Sequence, residues 1–181
     1  LTAGSIDWRK EGAVTPVKDQ GHCGGCWAFS TTGGLEGLSK VSSGSLLNFS
    51  EQQLIDCDTD NNGCHGGQMR RALNYVKANG ILLNTEYPYK GVQGTCEKPK
   101  GNFTLSGYTN LSNCVHLANG LSSQPIMVGV DSSNWDDYES GIFDNCPKEK
   151  GEFNHGVLVV GMTNDYWIIK NQWTTEWGEN G

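Results

Sequence analysis

The chain has 181 residues, with 20 acidic against 13 basic side chains and a formal net charge of −7, which argues against a nucleic-acid or anionic-membrane partner. With 36% hydrophobic residues, one large domain or two small lobes sharing an interface can bury a core, so a disordered chain is not expected. The 25 glycines follow no three-residue period, which excludes collagen and predicts a chain rich in turns.

Leu1-Thr2-Ala3-Gly4-Ser5 has neither the basic region nor the apolar run of a secretory signal, so any such segment is read as removed or never present. Trp27, Ala28, Leu35, Leu38 and Val41 fall near helical spacing up to Gly44. Gly33, Gly34 and Gly37 inside that stretch each cost up to about 1 kcal/mol relative to alanine, so this helix is expected to pack closely against other backbone. Ser50-Glu51-Gln52-Gln53 reads as a capping box opening a short helix through Leu54 and Ile55. Met69, Ala72, Leu73 and Val76 form the apolar stripe of a third helix, ended by Gly80. His116 lies near a further helix start. The period then changes: Ile126–Val130, Val157–Val160 and Tyr166–Ile169 are β-rich runs separated by polar or glycine-containing turns. The longest apolar stretch, Gly156–Met162, is far short of the ~20 residues that span a bilayer. Helices first and strands last predict an α+β protein of two unlike lobes with a ligand cleft between them.

Seven cysteines are many for a cytosolic protein of this size, and an odd number leaves one thiol over from an even disulfide framework. Cys26 stands out. In Gln20-Gly21-His22-Cys23-Gly24-Gly25-Cys26-Trp27 a polar, glycine-rich loop gives way to apolar helix at that residue. A thiol in the first turn of a helix meets free backbone N–H groups and the positive end of the macrodipole, which favour the thiolate. The same pattern also fits a disulfide or a redox Cys-x-x-Cys pair.

A nucleophilic thiolate needs a proton-transfer partner, and the chain has four histidines. His22 and His65 lie in glycine-rich loops and His116 near a helix start, positions that suit solvated surface residues. His155 opens the strand Gly156–Met162, and the turn Thr163-Asn164-Asp165 leads into the strand Tyr166–Trp173. If that turn closes an antiparallel hairpin, Met162 pairs with Tyr166 and His155 falls opposite Trp173. Asn171 is then the diagonal neighbour on the same face, roughly 7–8 Å away at Cα and within side-chain reach. A slip of one residue would send His155 to the other face.

These pieces resemble the papain family of cysteine proteases, cathepsin L-like, along nearly the whole chain: Asp7-Trp8-Arg9, Gly12 to Lys18, Gln20 to Ser30, Ser50 to Cys57, Gly63 to Gly67, Asn154-His155-Gly156 and Trp177 to Gly181. His155 and Asn171 follow Cys26 by 129 and 145 residues, matching that family's spacing. The resemblance implies a papain-like two-lobe α+β fold: a helix-rich lobe over residues 12–110, a β-barrel-like lobe from 1–11 and 111–181, and an active site in the cleft between them. It implies Cys26 as nucleophile, His155 as general base and acid, Asn171 as the group orienting the imidazole, and Trp173 as its shield from water. Gln20 would donate to the oxyanion beside the backbone N–H of Cys26. Gly66 and Gly67 would pair with an extended peptide, although they also fit a turn after a disulfide. Met69, Gly129 and Phe153, with Asn154 beside them, would line the pocket for the side chain two residues before the scissile bond, and their apolar character implies an apolar preference.

The resemblance further implies the disulfides Cys23–Cys64 and Cys57–Cys96, each valued near 4 kcal/mol by the loop-entropy model. Cys146 normally pairs with a later cysteine; here Cys114 is the candidate that is left, so Cys114–Cys146 is expected. Gly25 stands where serine is usual, and Gln172 and Thr174 replace a small residue and a glycine around Trp173, so a shifted or looser shield is expected. The family continues past Gly181 with a further strand that completes the β-rich lobe and the pocket base, which implies a fragment or an uncaptured remainder. An inhibitory propeptide is likewise absent, as in a mature form.

The implied partners are a protein or peptide substrate and an inhibitory propeptide or cystatin-like inhibitor, with a monomeric state, no cofactor and no metal. The implied setting is lysosomal, vacuolar or secreted. Two rival readings stand beside this one. A zinc or thioredoxin-like module would be built on Cys23, Cys26, Cys57 and Cys64, but would leave Gln20 and the His155/Asn171 hairpin without a role. The other is a catalytically silent papain-like binding protein. Asn48, Asn102 and Asn110 open Asn-x-Ser/Thr triplets, a number near chance expectation for this composition.

Overall fold

The computed structural model describes residues 4–146 and 152–181; Leu1-Thr2-Ala3 lie outside that range. Helix α1 runs from Cys26 to Ser43, and Gly44, in the left-handed region with φ 79°, stops it by donating its N–H to the Lys40 carbonyl. Helix α2, Glu51–Cys57, starts where the Ser50 side chain accepts from the Gln53 N–H. This is half a capping box. The Gln53 side chain does not turn back to Ser50; its Oε1 accepts from the Leu82 N–H, while the Ser50 N–H goes to the Leu82 carbonyl. Helix α3, Met69–Asn79, buries Ala72, Leu73 and Val76 and ends at Gly80. Helix α4, Cys114–Leu121, is opened by Asn113, whose side chain accepts from the His116 N–H.

The sheet is antiparallel throughout. Strand β3, His155–Met162, is buried along its whole length. It pairs with β1, Ile6–Asp7, and β2, Ile126–Val130, on one side and β4, Trp167–Lys170, on the other. Burial on both faces explains the unbroken apolar run from Val157 to Val160, which shows no alternation. The turn differs from the sequence expectation. Thr163 and Tyr166 close it by a backbone bond of 2.9 Å, Tyr166 stays outside the ladder, and Met162 faces Trp167. A bulge at Val160 then resets the register, so Val159 faces Ile169 and Leu158 faces Lys170. Those are the pairs the sequence implied. The slip at the turn is thus cancelled, but the ladder ends at Leu158 and Lys170, so the expected pair of His155 with Trp173 is not formed: His155 pairs with Val130 on β2, and Trp173, beyond the end of β4, bridges Asp19.

Among the described residues the two larger apolar clusters flank α1, and a smaller third joins Cys57, Leu82 and Tyr87. Of the larger two, one joins α1, α2 and α3 through Trp27, Leu35, Phe49, Leu54, Ile55 and Val76. The other sits on the sheet around Leu121, Val159 and Met162, covered by Ile6, Leu117 and Ile169. Helix α1 crosses between them and lies on β2 and β3. The glycine stripe makes that approach possible, but its neighbours are side chains and not the backbone expected: Leu158 against Gly33, Met127 against Gly34, Pro125 against Gly37. One turn past Cys26, the Ser30 hydroxyl donates to the Val157 carbonyl at 2.7 Å, two residues past His155. That buried bond fixes the start of α1 against the start of β3.

Candidate active site

Cys26 opens α1 behind Gly25, and no side chain caps the helix; the Ala28 N–H turns back to the Gly25 carbonyl at 2.8 Å, which leaves the Cys26 and Trp27 N–H groups for another acceptor. The backbone N–H groups of Gly156, Trp27 and Cys26 itself favour the thiolate, while burial, the larger influence, pushes the thiol pKa up. Cys26 is unbonded because its neighbour is occupied elsewhere: Cys23 is joined to Cys64, and Cys57 to Cys96. The Cys114–Cys146 bridge is not formed. Both residues are free and exposed: Cys114 begins α4 with Asn113 as its cap, whereas Cys146 belongs to an exposed loop segment.

His155, at the first position of β3, is buried to 8% exposure, and its Nε2 meets Asn171 Oδ1 at 2.8 Å. Burial lowers its pKa, and the Asn171 bond works in the opposite direction. Asn171 lies one residue beyond β4, and its Oδ1 also accepts from the Gln172 N–H at 2.9 Å. The expected looser shield is not observed: Asn171 is 1% exposed, and the Trp173 ring lies 4.9 Å from the imidazole centroid. Asn171 Nδ2 has no partner among the described residues, and the residue is one of those lining a cavity of about 10 Å³, room for about one water.

Gln20 reaches the site from the loop before α1. Its Nε2 donates to the Cys23 carbonyl at 3.0 Å, and its Oε1 accepts from Trp173 Nε1 at 3.1 Å and Gln172 Nε2 at 3.2 Å. One N–H of the Gln20 amide is therefore left over. Gly67 is exposed, and a side chain there would collide with Trp27 and Asn61, at 2.7 Å from each. Gly66 has φ 101° and its carbonyl accepts from the Asn62 N–H, so the glycine pair is set by close approach as well as by the turn. Met69, Gly129 and Phe153 line one open groove of about 1070 Å³. Phe153 is 80% exposed and lies against Gly129. Asn154 is turned away into the 131–133 loop, accepting from the Ser132 N–H at 2.9 Å.

The structure adds residues that sequence reasoning missed. Trp135 sits edge-on to the His155 ring at 6.2 Å and stacks on Trp177 at 5.9 Å, so with Trp173 it walls the imidazole. Its place in a polar loop offered no periodic signal. Gln172 bridges Gln20 and the Gly156 carbonyl; its departure from a small residue was the available signal. His22, His65 and His116 are exposed, as their contexts implied. Among the described residues no cluster of three or more His, Cys, Asp or Glu side chains could hold a metal ion, and Cys23, Cys57 and Cys64, needed by the zinc or redox reading, are tied up in disulfides.

A helical face carrying a free thiol, set against an antiparallel sheet carrying a histidine, defines a papain-like α+β protein. The description "Papain family cysteine protease" matches residues 2–181, and the chain belongs to that family. It is 45% identical to the probable cysteine protease RDL4 of Arabidopsis thaliana over 98% of this chain and 52% of that protein. Against the KDEL-tailed cysteine endopeptidase CEP2 of the same plant it is 42% identical, over 98% and 52%. The chain thus spans about half the length of these curated relatives. Among solved structures, the Carica candamarcensis cysteine protease CMS1MS2 in complex with E-64 superposes with a TM-score of 0.90 at 42% identity, over 98% of this chain and 85% of that one. Digestive procathepsin L 3 of Tenebrio molitor larval midgut does so at 0.94 and 40%, over 100% and 63%.

Proposed function

We propose that the chain is the catalytic part of a cysteine endopeptidase that cuts peptide bonds through an acyl-enzyme, with a preference for an apolar side chain two residues before the cut. One observation carries this reading: a free thiol at an uncapped helix start, its thiolate favoured by N–H groups that include that of Gly156, the residue directly after an imidazole held by Asn171. Burial opposes the thiolate and the imidazolium separately. Formed together by one proton transfer, each charge supplies the counter-charge the other lacks. With Nε2 engaged by Asn171, Nδ1 is the nitrogen left for that proton.

The thiolate attacks the scissile carbonyl carbon, and the carbonyl π electrons move to oxygen. The Cys26 N–H and the spare Gln20 N–H receive that oxyanion; one such donor is typically worth about 2.7–4 kcal/mol. Collapse expels the amine, which takes the proton from His155. Water then gives a proton to His155 and attacks the thioester, and the acid leaves as Cys26 is restored. Asn171 is neutral, so it orients the ring without competing for its charge. The substrate lies across the boundary between residues 12–110 and residues 1–11 with 111–181, its backbone on Gly66 and Gly67 and its apolar side chain against Met69, Gly129 and Phe153. We assign the protein a monomeric state, a propeptide or cystatin-like inhibitor as partner, and a lysosomal, vacuolar or secreted setting; the procathepsin name of one relative supports the propeptide, and the KDEL-tailed name of another supports the setting.

Iodoacetamide labelling across pH tests the reading, with Cys114 and Cys146 as internal reference thiols because both are free and exposed. Cys26 should label selectively well below pH ~8.5, the ordinary thiol value. In His155→Ala the imidazole is gone, burial acts alone, and Cys26 labelling should move to the alkaline side of the two references. Cys26→Ala should abolish peptide hydrolysis with the melting temperature retained. Wild-type Cys26 titrating in step with Cys114 would refute the activated pair.

A further inference from the structure

Gln172 is 4% exposed and occupies a position where the family resemblance implies a small residue. Both hydrogens of its Nε2 are committed: one to the Gly156 carbonyl at 2.9 Å, the other to Gln20 Oε1 at 3.2 Å. Nε2 also lies 3.5 Å from His155 Nε2, but that ring nitrogen is already engaged by Asn171 at 2.8 Å. The backbone strengthens the tie, since the Gln20 N–H donates to the Gln172 carbonyl at 3.0 Å.

The consequence falls on Gln20. Its Oε1 has two lone pairs, filled by the Gln172 amide and the Trp173 indole. Rotating the amide by half a turn would bring its N–H groups against those two donors and would also lose the bond from Nε2 to the Cys23 carbonyl. The carboxamide is thereby locked with Nε2 toward the loop that leads into Cys26, one hydrogen on the Cys23 carbonyl and one free. Two donors on Oε1 also polarise the amide and strengthen the remaining N–H as a donor.

We infer that Gln172 is a positioning residue, which holds the Gln20 amide in its oxyanion-donating orientation from the far end of a hydrogen-bonded chain anchored on Gly156. This rests on the hydrolase reading above. The inference separates two chemistries at one sulfur. Peptide hydrolysis builds charge on a carbonyl oxygen, whereas alkylation by iodoacetamide displaces iodide at a saturated carbon and builds none there.

The experiment compares hydrolysis of a peptide substrate with iodoacetamide labelling of Cys26 in Gln172→Met, which keeps the length and loses both donors, and in Gln172→Ser, the small-residue alternative. A displaced oxyanion donor should lower kcat/KM about 10- to 100-fold, mostly in kcat, while the labelling rate and its pH midpoint stay near wild type. In a Gln20→Ala background the Gln172→Met substitution should add less than about two-fold, because coupled residues are non-additive. Hydrolysis unchanged in both variants, losses that multiply with Gln20→Ala, or labelling that falls in step with hydrolysis would each overturn the inference. A wild-type protein with neither hydrolysis nor selective labelling would overturn the hydrolase reading and this inference together; an active wild type indifferent to residue 172 removes only this one.

Discussion

At the scale of single residues, Thr174 bears a conformational cost next to the site. Its φ is 67°, a region where an L-residue loses roughly 1–2 kcal/mol and a β-branched one is a true outlier. Asn180 shares the region at φ 65°, but asparagine tolerates it. The strain at Thr174 is held by its N–H on the Lys18 carbonyl at 3.3 Å and by Oγ1 accepting from the Glu176 N–H at 3.1 Å. Since the resemblance implies glycine here, Thr174→Gly should relieve the strain. Against the unfolded-state entropy of glycine and the loss of one exposed hydrogen bond, the net gain should be at most about 1 kcal/mol. A rise in the urea midpoint with an unchanged slope would show it; a fall would mean that Thr174 is not strained. The two substitutions flanking Trp173 therefore have opposite characters: Thr174 stores strain, and Gln172 adds hydrogen bonds.

Among the elements, α1 governs how the site is assembled, because it carries Cys26 and packs on the strands that carry and flank His155. A Cβ on Gly37 would lie 2.6 Å from Pro125 Cδ, part of a rigid ring, whereas one on Gly34 would meet the flexible end of Met127 at 2.5 Å. Alanine gains up to about 1 kcal/mol of helix propensity at either position. Overpacking costs about 1–3 kcal/mol when the neighbour cannot move. Gly37→Ala should therefore destabilise the protein, and by more than Gly34→Ala; equal midpoints in thermal unfolding would refute the packing argument. Much of this level was legible. Spacing and caps placed α1, α2 and α3, since those signals are local. The two-residue β1 was not legible, because only pairing with β3 makes it a strand. The hairpin was legible in its inner register and wrong at its tip. A four-residue turn displaced Tyr166 by one place and the bulge at Val160 restored the pairing, a compensation that no periodicity in the run Val157–Met162 encodes.

At the scale of the whole molecule, the candidate site draws on segments far apart in the chain, and Cys26, His155 and Asn171, the residues proposed to act there, were legible because each sits at a place with a local signature: a helix start, a strand start, a hairpin diagonal. The charged cluster behind them was not legible, because nothing in the spacing of Lys18, Glu36, Glu51 and Lys170 along the chain ties them together. In the fold, the Lys18 ammonium donates to Glu36 and Asn48, each at 2.8 Å, and to Glu51, so that one lysine joins the segment before α1 to α1 and α2. Burial opposes the Lys18 charge, but Glu51 and Glu36 outweigh it and raise its pKa. Lys170 on β4 fares differently. Its Nζ donates to Thr15 Oγ1 at 2.9 Å, it borders the small cavity beside Asn171, and burial lowers its pKa to about 8, with Glu36 only partly opposing. Below pH 8 the lysine is protonated both folded and unfolded, and folding bears the full cost of burying the charge. Between about 8 and the ordinary value near 10.4 the unfolded chain binds the extra proton, so stability rises with pH across that window. The shift corresponds to roughly 3 kcal/mol. In Lys170→Met this dependence disappears. The stability of wild type relative to Lys170→Met should therefore increase by about that amount from pH 7 to pH 10.5, measured by urea unfolding with Cys26 alkylated in both proteins to keep its titration out of the comparison. A difference that stays flat or falls across the window would mean that Lys170 is not buried as a strained cation between the helices and the sheet.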